Sequence, residues 1–458
     1  MNRIAGRAGI TLLLVLVLVG GIAFFGAEFV AEADRWVVFS GSPHVYNGNN
    51  IDCGVVTDRE NILLADLRDG RTYSNSLALR KATVHWLGDR YGSINAPALS
   101  NYAAQIAGFD LLNGVYRYGR SSGVVKLTFS AQIQQAALEA LGDRKGTVSV
   151  YNYKTGELLC AVTTPTYDPD HVPDIEGDTT GAYEGAYVNR FTQSTYIPGS
   201  IFKIVTLAAA LETVGDIQQQ RFTCTGSYTL GADRITCEST HGEQDLKTAF
   251  RNSCNCAFAQ IALQVGGETL EWYAKQFGVT DRITFDGITT AAGNFEAANT
   301  SAINVAWSGV GQYKDQINPC AFLTFMGAVA GGGKGTVPYL VEQIEVENHT
   351  TYAAQTQYAD RIMSAATAQV LQEYLRNNVQ QRYGDEHFPG LQVCAKTGTA
   401  EVGGDQKPNA MLAGYVMDDE YPLAFMVCVE DAGYGGTVCI PIASKVLAAC
   451  KTAMDELV

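Results

Sequence analysis

The stretch YIPGSIFKIVTLAAALE, residues 196–212, sets Ser200 and Lys203 three positions apart, just after Pro198 and Gly199 and at the start of an apolar, helix-like run. On a helix, positions i and i+3 share a face, so the Lys203 amine can reach the Ser200 hydroxyl without help from the rest of the chain. Ile201, Ile204, Val205, Ala208 and Leu211 are then expected to face a core. A serine hydroxyl is a weak nucleophile, and a lysine activates it only as the neutral amine. The ordinary lysine pKa is about 10.4; bringing it near 7 costs about 4 kcal/mol, which burial and a second nearby cation could supply. The pair therefore asks for another lysine. Without one, an amphipathic helix that happens to carry a serine and a lysine in its first turn explains the same letters.

The 458 residues, 47% of them apolar, suffice for a large domain with a sizeable core and a smaller one beside it. A formal charge of −15 excludes nucleic-acid binding by a basic face, because nothing would replace the counterions on phosphate. Arg3 and Arg7 precede an uncharged run from Ala8 to Ala27, which is followed by Glu28, Glu32 and Asp34. That run is just long enough to span a bilayer. Arginines before it and acids after it orient the N-terminus inside and the body outside. Residues 1–27 are thus expected to be a cytoplasmic N-terminus with a single membrane anchor. Ala31-Glu32-Ala33 also has the form of a signal-peptide cleavage site, and either reading exports the body.

Residues 28–50 read as a juxtamembrane linker, and 51–125 as a spacer domain of short strand-like and helical pieces. At Val124 the texture changes. VVKLTF is a strand, Ser130 is expected to cap the helix AQIQQAALEAL, and Gly142 to end it. GTVSVYNY and ELLCAVT form two strands joined by a turn at Lys154–Gly156, while LQVCAKTG, AMLAGYV and LAFMVCVE read as consecutive strands before a final helix over 440–457. Helices inserted between first and last strands predict an α+β domain, residues 126–458, built on one mainly antiparallel sheet.

Eleven cysteines leave at least one unpaired. Cys224 and Cys237 flank a hairpin-like segment, where a cross-strand disulfide and two free thiols are both open readings. Cys254-x-Cys256 lacks a matching pair or a histidine at metal spacing, so neither a metal nor a cofactor is expected.

Two further elements complete a chemical set. Ser253-Cys254-Asn255 interrupts the helical stretch LKTAFRNSCNCAFAQIALQVG, and Lys396-Thr397-Gly398-Thr399 follows the strand LQVCA. Ser-x-x-Lys, Ser-x-Asn and Lys-Thr-Gly together are the signature of penicillin-binding proteins and serine β-lactamases, and their order at 200, 253 and 396 is the order of that family. Ser93-Ile94-Asn95 and Lys154-Thr155-Gly156 match single elements out of order. Gly119-Arg120-Ser121-Ser122-Gly123 fits the hydrolase pattern G-x-S-x-G but precedes a strand, whereas a nucleophile elbow follows one.

Beyond the motifs, NRFTQSTYIPGSIFK, HGEQDLKTAFRNSCNCAFAQIA, SGVGQYKDQINPCAFLTFMGAVAGGG and AKTGTAEVGG each resemble segments of monofunctional, class B penicillin-binding proteins. The resemblance covers most of residues 51–450. DCGVVTDRENILLA is similar to the family's opening strand, with Asn61 where glycine is usual; asparagine tolerates the left-handed turn expected there.

The resemblance implies a peptidoglycan D,D-transpeptidase inhibited by β-lactams. Ser200 would attack the penultimate D-alanine carbonyl of a stem peptide, Lys203 would take its proton, and an acyl-enzyme would form. Ser253 would pass the proton to the departing D-alanine. Lys396 would hold the Lys203 amine neutral and attract the substrate carboxylate, which Thr397 and Thr399, flanking Gly398, would bind. Asn255 would hydrogen-bond the donor peptide backbone. The N–H groups of Ser200 and Thr399 would form the oxyanion hole. Too little sequence lies before residue 125 for a glycosyltransferase, so a separate membrane polymerase is the implied partner. Water in place of the acceptor amine would make a DD-carboxypeptidase or a β-lactamase, although no acidic loop of the class A kind follows Ser253. A non-catalytic sensor or scaffold for β-lactam or cell-wall peptide is the other alternative, against which intact Lys203 and Lys396 argue.

Overall fold

A computed structural model describes residues 2–456 except 40, 43, 44, 49, 69, 109–122 and 405. Gly119 to Ser122 of the G-x-S-x-G match lie outside the described residues. Helix α1 (Asn2–Val37) contains the segment Ile4–Ala33, long and apolar enough to cross a membrane. No proline or glycine stands between Glu28 and Val37, so the helix continues into the segment expected to be linker.

Strands β1 (Val55–Thr57), β2 (Leu63–Asp66), β3 (Thr72–Tyr73) and β4 (Val124–Leu127) begin the first sheet. Two later strands, β9 (Val341–Val346) and β10 (His349–Ala353), complete it in the order β10-β9-β4-β1-β2-β3. Only the β1–β4 pair is parallel. This mixed sheet joins strands from the segment read as spacer to β4, β9 and β10, so strand pairing crosses the expected boundary at residue 125. Asn61 turns the chain between β1 and β2 at φ +65°, as its residue type allows.

The main sheet is five-stranded and wholly antiparallel. Its strands β5 (Gly146–Asn152), β6 (Leu158–Thr164), β11 (Val393–Ala400), β12 (Asn409–Val416) and β13 (Leu423–Val429) run in the order β11-β12-β13-β5-β6. Every residue of β5, β6 and β13 is buried, because both faces are covered, and β6 and β13 accordingly read as largely continuous apolar runs, whereas β5 buries Thr147 and Ser149 as well. One face, with Ala410, Leu412 and Val416, packs under α2 (Ala131–Leu141) and α6 (Gly435–Asp455). The opposite face, with Met411, Ala413 and Tyr415, packs against the helices around Phe202 and Phe322. Helix α6 is also long and apolar enough to span a membrane, but Cys439, Ile442, Val446 and Cys450 are buried on the sheet.

Ser130 precedes α2 but makes no side-chain cap bond. Asp58, from the end of β1, takes that place: its Oδ2 accepts the Ala131 N–H at 2.9 Å while Oδ1 accepts from Glu60 and Ile62. An ionised carboxylate is the stronger acceptor for a helix N-terminus. One side chain thus ties the first sheet to the second.

Candidate active site

Ser200, the expected nucleophile, sits on a 3₁₀ turn, Gly199–Phe202, that leads directly into α3 (Lys203–Thr213). The expected one-sided core face is too narrow, since every residue from Lys203 to Ala210 is buried. A helix hydrophobic all round is enclosed by its fold. Gly199 accepts φ +53°, and a Cβ there would run into the Thr399 carbonyl oxygen. Its bareness lets β11 pass against the Ser200 turn. Gly199→Ala is expected to cost about 1–3 kcal/mol in stability and to slow acylation, read by thermal melting and penicillin labelling.

Hairpin β7 (Ser227–Leu230) and β8 (Asp233–Thr236) covers the next element, a broken helix. Helix α4 (Leu246–Arg251) stops, Ser253 adopts φ +52°, and α5 (Asn255–Val265) starts with Cys254 as its cap. The Ser253 N–H goes to Phe250 O at 3.0 Å and the Cys254 N–H to Ala249 O at 3.0 Å, closing the first helix. A non-glycine residue in the left-handed region is strained, and here surrounding bonds hold it.

The Lys203 Nζ stands 3.0 Å from Ser200 Oγ, 3.2 Å from Ser253 Oγ, 2.7 Å from Ser253 O and 2.7 Å from Asn255 Oδ1. Lys396 approaches from β11, its Nζ donating to the same Ser253 Oγ at 2.9 Å and to Thr397 O at 3.0 Å. Ser253 Oγ therefore lies between the two amines. Both lysines are wholly buried, over the rings of Phe258 and Phe250 respectively. Burial pushes Lys203 down to about 8. Lys396 is held well below the ordinary lysine value, by burial and then by the charge of Lys203. Two ammonium groups cannot share this dry space, so one of them gives up its proton.

The remaining residues of the motifs divide. Thr399 lines the cleft, its hydroxyl accepting the Gly435 N–H at 3.3 Å. Thr397 is engaged by Tyr383, whose hydroxyl accepts the Thr397 N–H at 3.1 Å and meets Thr397 Oγ1 at 3.1 Å. Gly398 runs past the Ser200 turn, where a Cβ would lie 2.9 Å from Pro198 O. Asn255 is occupied at both ends of its amide, Oδ1 by Lys203 and Nδ2 by Thr236 O at 2.9 Å. Its observed contacts hold the lysine and the hairpin rather than pointing only to a ligand.

A cleft of about 720 Å³ opens over Ser200, Ser253, Asn255 and Thr399. Glu238, Trp307, Gln312, Tyr313, Glu401 and Tyr434 also line it. Sequence reasoning missed these and Tyr383. Gln312, Tyr313 and Glu401 lie in segments whose resemblance pointed to them, and Tyr434 stands as an aromatic residue among glycines just before a helix. Tyr383 has no such signal, being delivered by the π-turn Val379–Tyr383. None of the eleven cysteines is in a disulfide in this structure, Cys224 and Cys237 included.

Comparison with known proteins matches this geometry. Residues 146–448 fit the penicillin binding protein transpeptidase domain family. The peptidoglycan D,D-transpeptidase PbpA of Mycobacterium tuberculosis is 28% identical over 71% of this chain and 72% of its own length. The stage V sporulation protein D of Bacillus subtilis is 26% identical, over 82% of this chain and 58% of its own. Among solved structures, penicillin-binding protein A from M. tuberculosis as an imipenem acyl-enzyme superposes with a TM-score of 0.75 at 25% identity, covering 88% of this chain and 99% of that one. The D,D-transpeptidase domain of a peptidoglycan glycosyltransferase from Eggerthella lenta gives a TM-score of 0.75 at 25% identity, over 89% and 99%. With the matched family spanning well over half of its length and all three motifs meeting at one cleft, the chain belongs to the penicillin-binding protein transpeptidase family.

Proposed function

We propose that this protein is a peptidoglycan D,D-transpeptidase that works through an acyl-enzyme on Ser200. The observation that carries the reading is the position of Ser253 Oγ, 3.2 Å from Lys203 Nζ and 2.9 Å from Lys396 Nζ, with Ser200 Oγ 3.0 Å from Lys203. These spacings are within direct proton-transfer reach. Neutral Lys203 takes the Ser200 proton as Oγ bonds to the penultimate D-alanine carbonyl carbon. The proton then moves through Ser253 to the nitrogen of the departing D-alanine, and the C–N bond breaks. The N–H groups of Ser200 and Thr399 receive the oxyanion, a role in which one donor is worth about 10² to 10³ in rate. An incoming carboxylate beside Lys396, Thr397 and Thr399 favours a charge on Lys396, and that charge holds Lys203 neutral. An amine of a neighbouring stem peptide deprotonates through the same residues and displaces Ser200, forming the cross-link. β-Lactams enter as substrate mimics whose acyl-enzyme persists.

Residues 1–27 supply the cytoplasmic N-terminus and a single-pass anchor, 28–50 a link to the membrane, and 51–125 a pedestal completed by β9 and β10. Residues 126–458 form the extracytoplasmic catalytic domain. A separate membrane glycosyltransferase supplies the glycan strands, contacted through pedestal and anchor.

The test is product analysis with a stem-peptide donor and an amine acceptor. Cross-linked dimer exceeding hydrolysed donor is the expected outcome. Hydrolysis alone would make the protein a carboxypeptidase, fast turnover of penicillin a β-lactamase, and binding without either product a sensor.

A further inference from the structure

We propose that Cys224, Cys237, His241 and Cys254 form a zinc site that clamps the Ser253–Asn255 turn from behind. These four residues come from separate places: the end of the strand Arg221–Cys224, the residue after β8, the loop beyond it, and the cap of α5. Their ligand atoms all lie within 4.8 Å of one another. A tetrahedral zinc ion, with bonds of about 2.3 Å to sulfur and about 2.0–2.1 Å to nitrogen, sets sulfur–sulfur edges of about 3.8 Å and sulfur–nitrogen edges of about 3.6 Å. The Cys237 and Cys254 sulfurs are 3.9 Å apart, and Cys237 Sγ is 3.5 Å from His241 Nδ1. Both match the edges of that tetrahedron.

A second feature points the same way. The other ring nitrogen of His241, Nε2, lies 3.0 Å from Ser239 Oγ. A metal-bound imidazole characteristically donates its free N–H to such a partner, which fixes its orientation. The Cys254 sulfur accepts the Ala257 N–H at 3.5 Å, a bond that a zinc-bound thiolate keeps. Three thiolates and an imidazole form a closed, soft set of the structural kind, which selects zinc over hard cations such as magnesium or calcium. The ligand spacing is hidden in sequence, since twelve residues separate Cys224 from Cys237 and twelve more separate His241 from Cys254. It differs from the Cys254-x-Cys256 pair, which offered no such set.

The clamp has a consequence that rests on the transpeptidase reading. Cys254 lies between Ser253 and Asn255, both of which bond Lys203, and Ser253 is held at φ +52°. Fixing Cys254 to three other segments holds that strained turn in place. The cysteines and His241 are positioning residues, acting on the reaction only through Ser253 and Asn255.

Full-length protein, expressed with zinc in the medium and purified in detergent under reducing conditions, is expected to carry about one zinc per chain by elemental mass spectrometry. Cys224→Ser and His241→Ala are each expected to lose it, while Cys53→Ser, in the loop before β1, keeps it. Cobalt in place of zinc should give the thiolate charge-transfer and visible bands of a tetrahedral site. A parent chain with less than about a tenth of an equivalent, zinc retained in both ligand variants, or a Cys237–Cys254 disulfide in the reduced preparation would overturn the site, whether or not the variants fold. Separately, chelation is expected to slow penicillin acylation at least tenfold, with recovery on adding zinc. An unchanged acylation rate in metal-free protein would remove the clamp while leaving the metal site and the transpeptidase reading intact.

Discussion

Ser200→Ala is expected to abolish covalent labelling by fluorescent penicillin and to lower cross-linking by about 10⁴-fold or more, the scale on which removal of an attacking hydroxyl reports when its partners act as a unit. The substitution deletes one oxygen from the mouth of the cleft. Lys203 keeps its bonds to Ser253 O, Ser253 Oγ and Asn255 Oδ1, so the fold should persist with a melting temperature close to that of the parent. Labelling that survives in the variant, with the adduct mapped by mass spectrometry to another residue, would refute the assignment of the nucleophile.

Lys203→Ala is expected to slow acylation by about 10³- to 10⁴-fold, because the general base and the start of the proton path vanish together. In the unsubstituted protein the rate should climb with pH and level off above about 8, since only the neutral amine accepts the Ser200 proton and burial lowers Lys203 to about 8. The sign follows from that direction: acid protonates Lys203 and removes the base, while alkali leaves it competent. Stopped-flow acylation from pH 6 to pH 9 measures the profile. A rate independent of pH over that range, or Lys203→Ala acylating within tenfold of the parent, would show that Lys203 is not the base. The lysine is wholly buried, so thermal melting of the variant must accompany the kinetics.

Much of the site could be read before any coordinates. The Ser200 and Lys203 pair is a local fact, fixed by three residues of helical spacing after Pro198 and Gly199. The strands around Lys396 were legible because continuous apolar runs identify a sheet covered on both faces. The break at Ser253 showed as Ser253-Cys254-Asn255 interrupting the helical stretch LKTAFRNSCNCAFAQIALQVG. Tyr383 could not be found, because a π-turn and the packing of the Ala365–Asn378 helix on β11 bring it to Thr397. Asp58 as the cap of α2 was equally hidden, since Ser130 is the better local candidate and the carboxylate arrives from a distant strand.

The sequence by itself determined the chemistry on offer: a hydroxyl with an amine one turn away, a second serine, a second lysine and an apolar segment long enough for a membrane. Local spacing suffices for that, because i and i+3 neighbours need no tertiary contacts to meet. Only the tertiary structure decided that one hydroxyl, Ser253 Oγ, sits between the two amines, and that both are buried deeply enough to lose basicity. It also decided that three cysteines and a histidine converge behind the same turn. Desolvation and charge proximity depend on what the fold packs around a group, and no window of sequence contains that information.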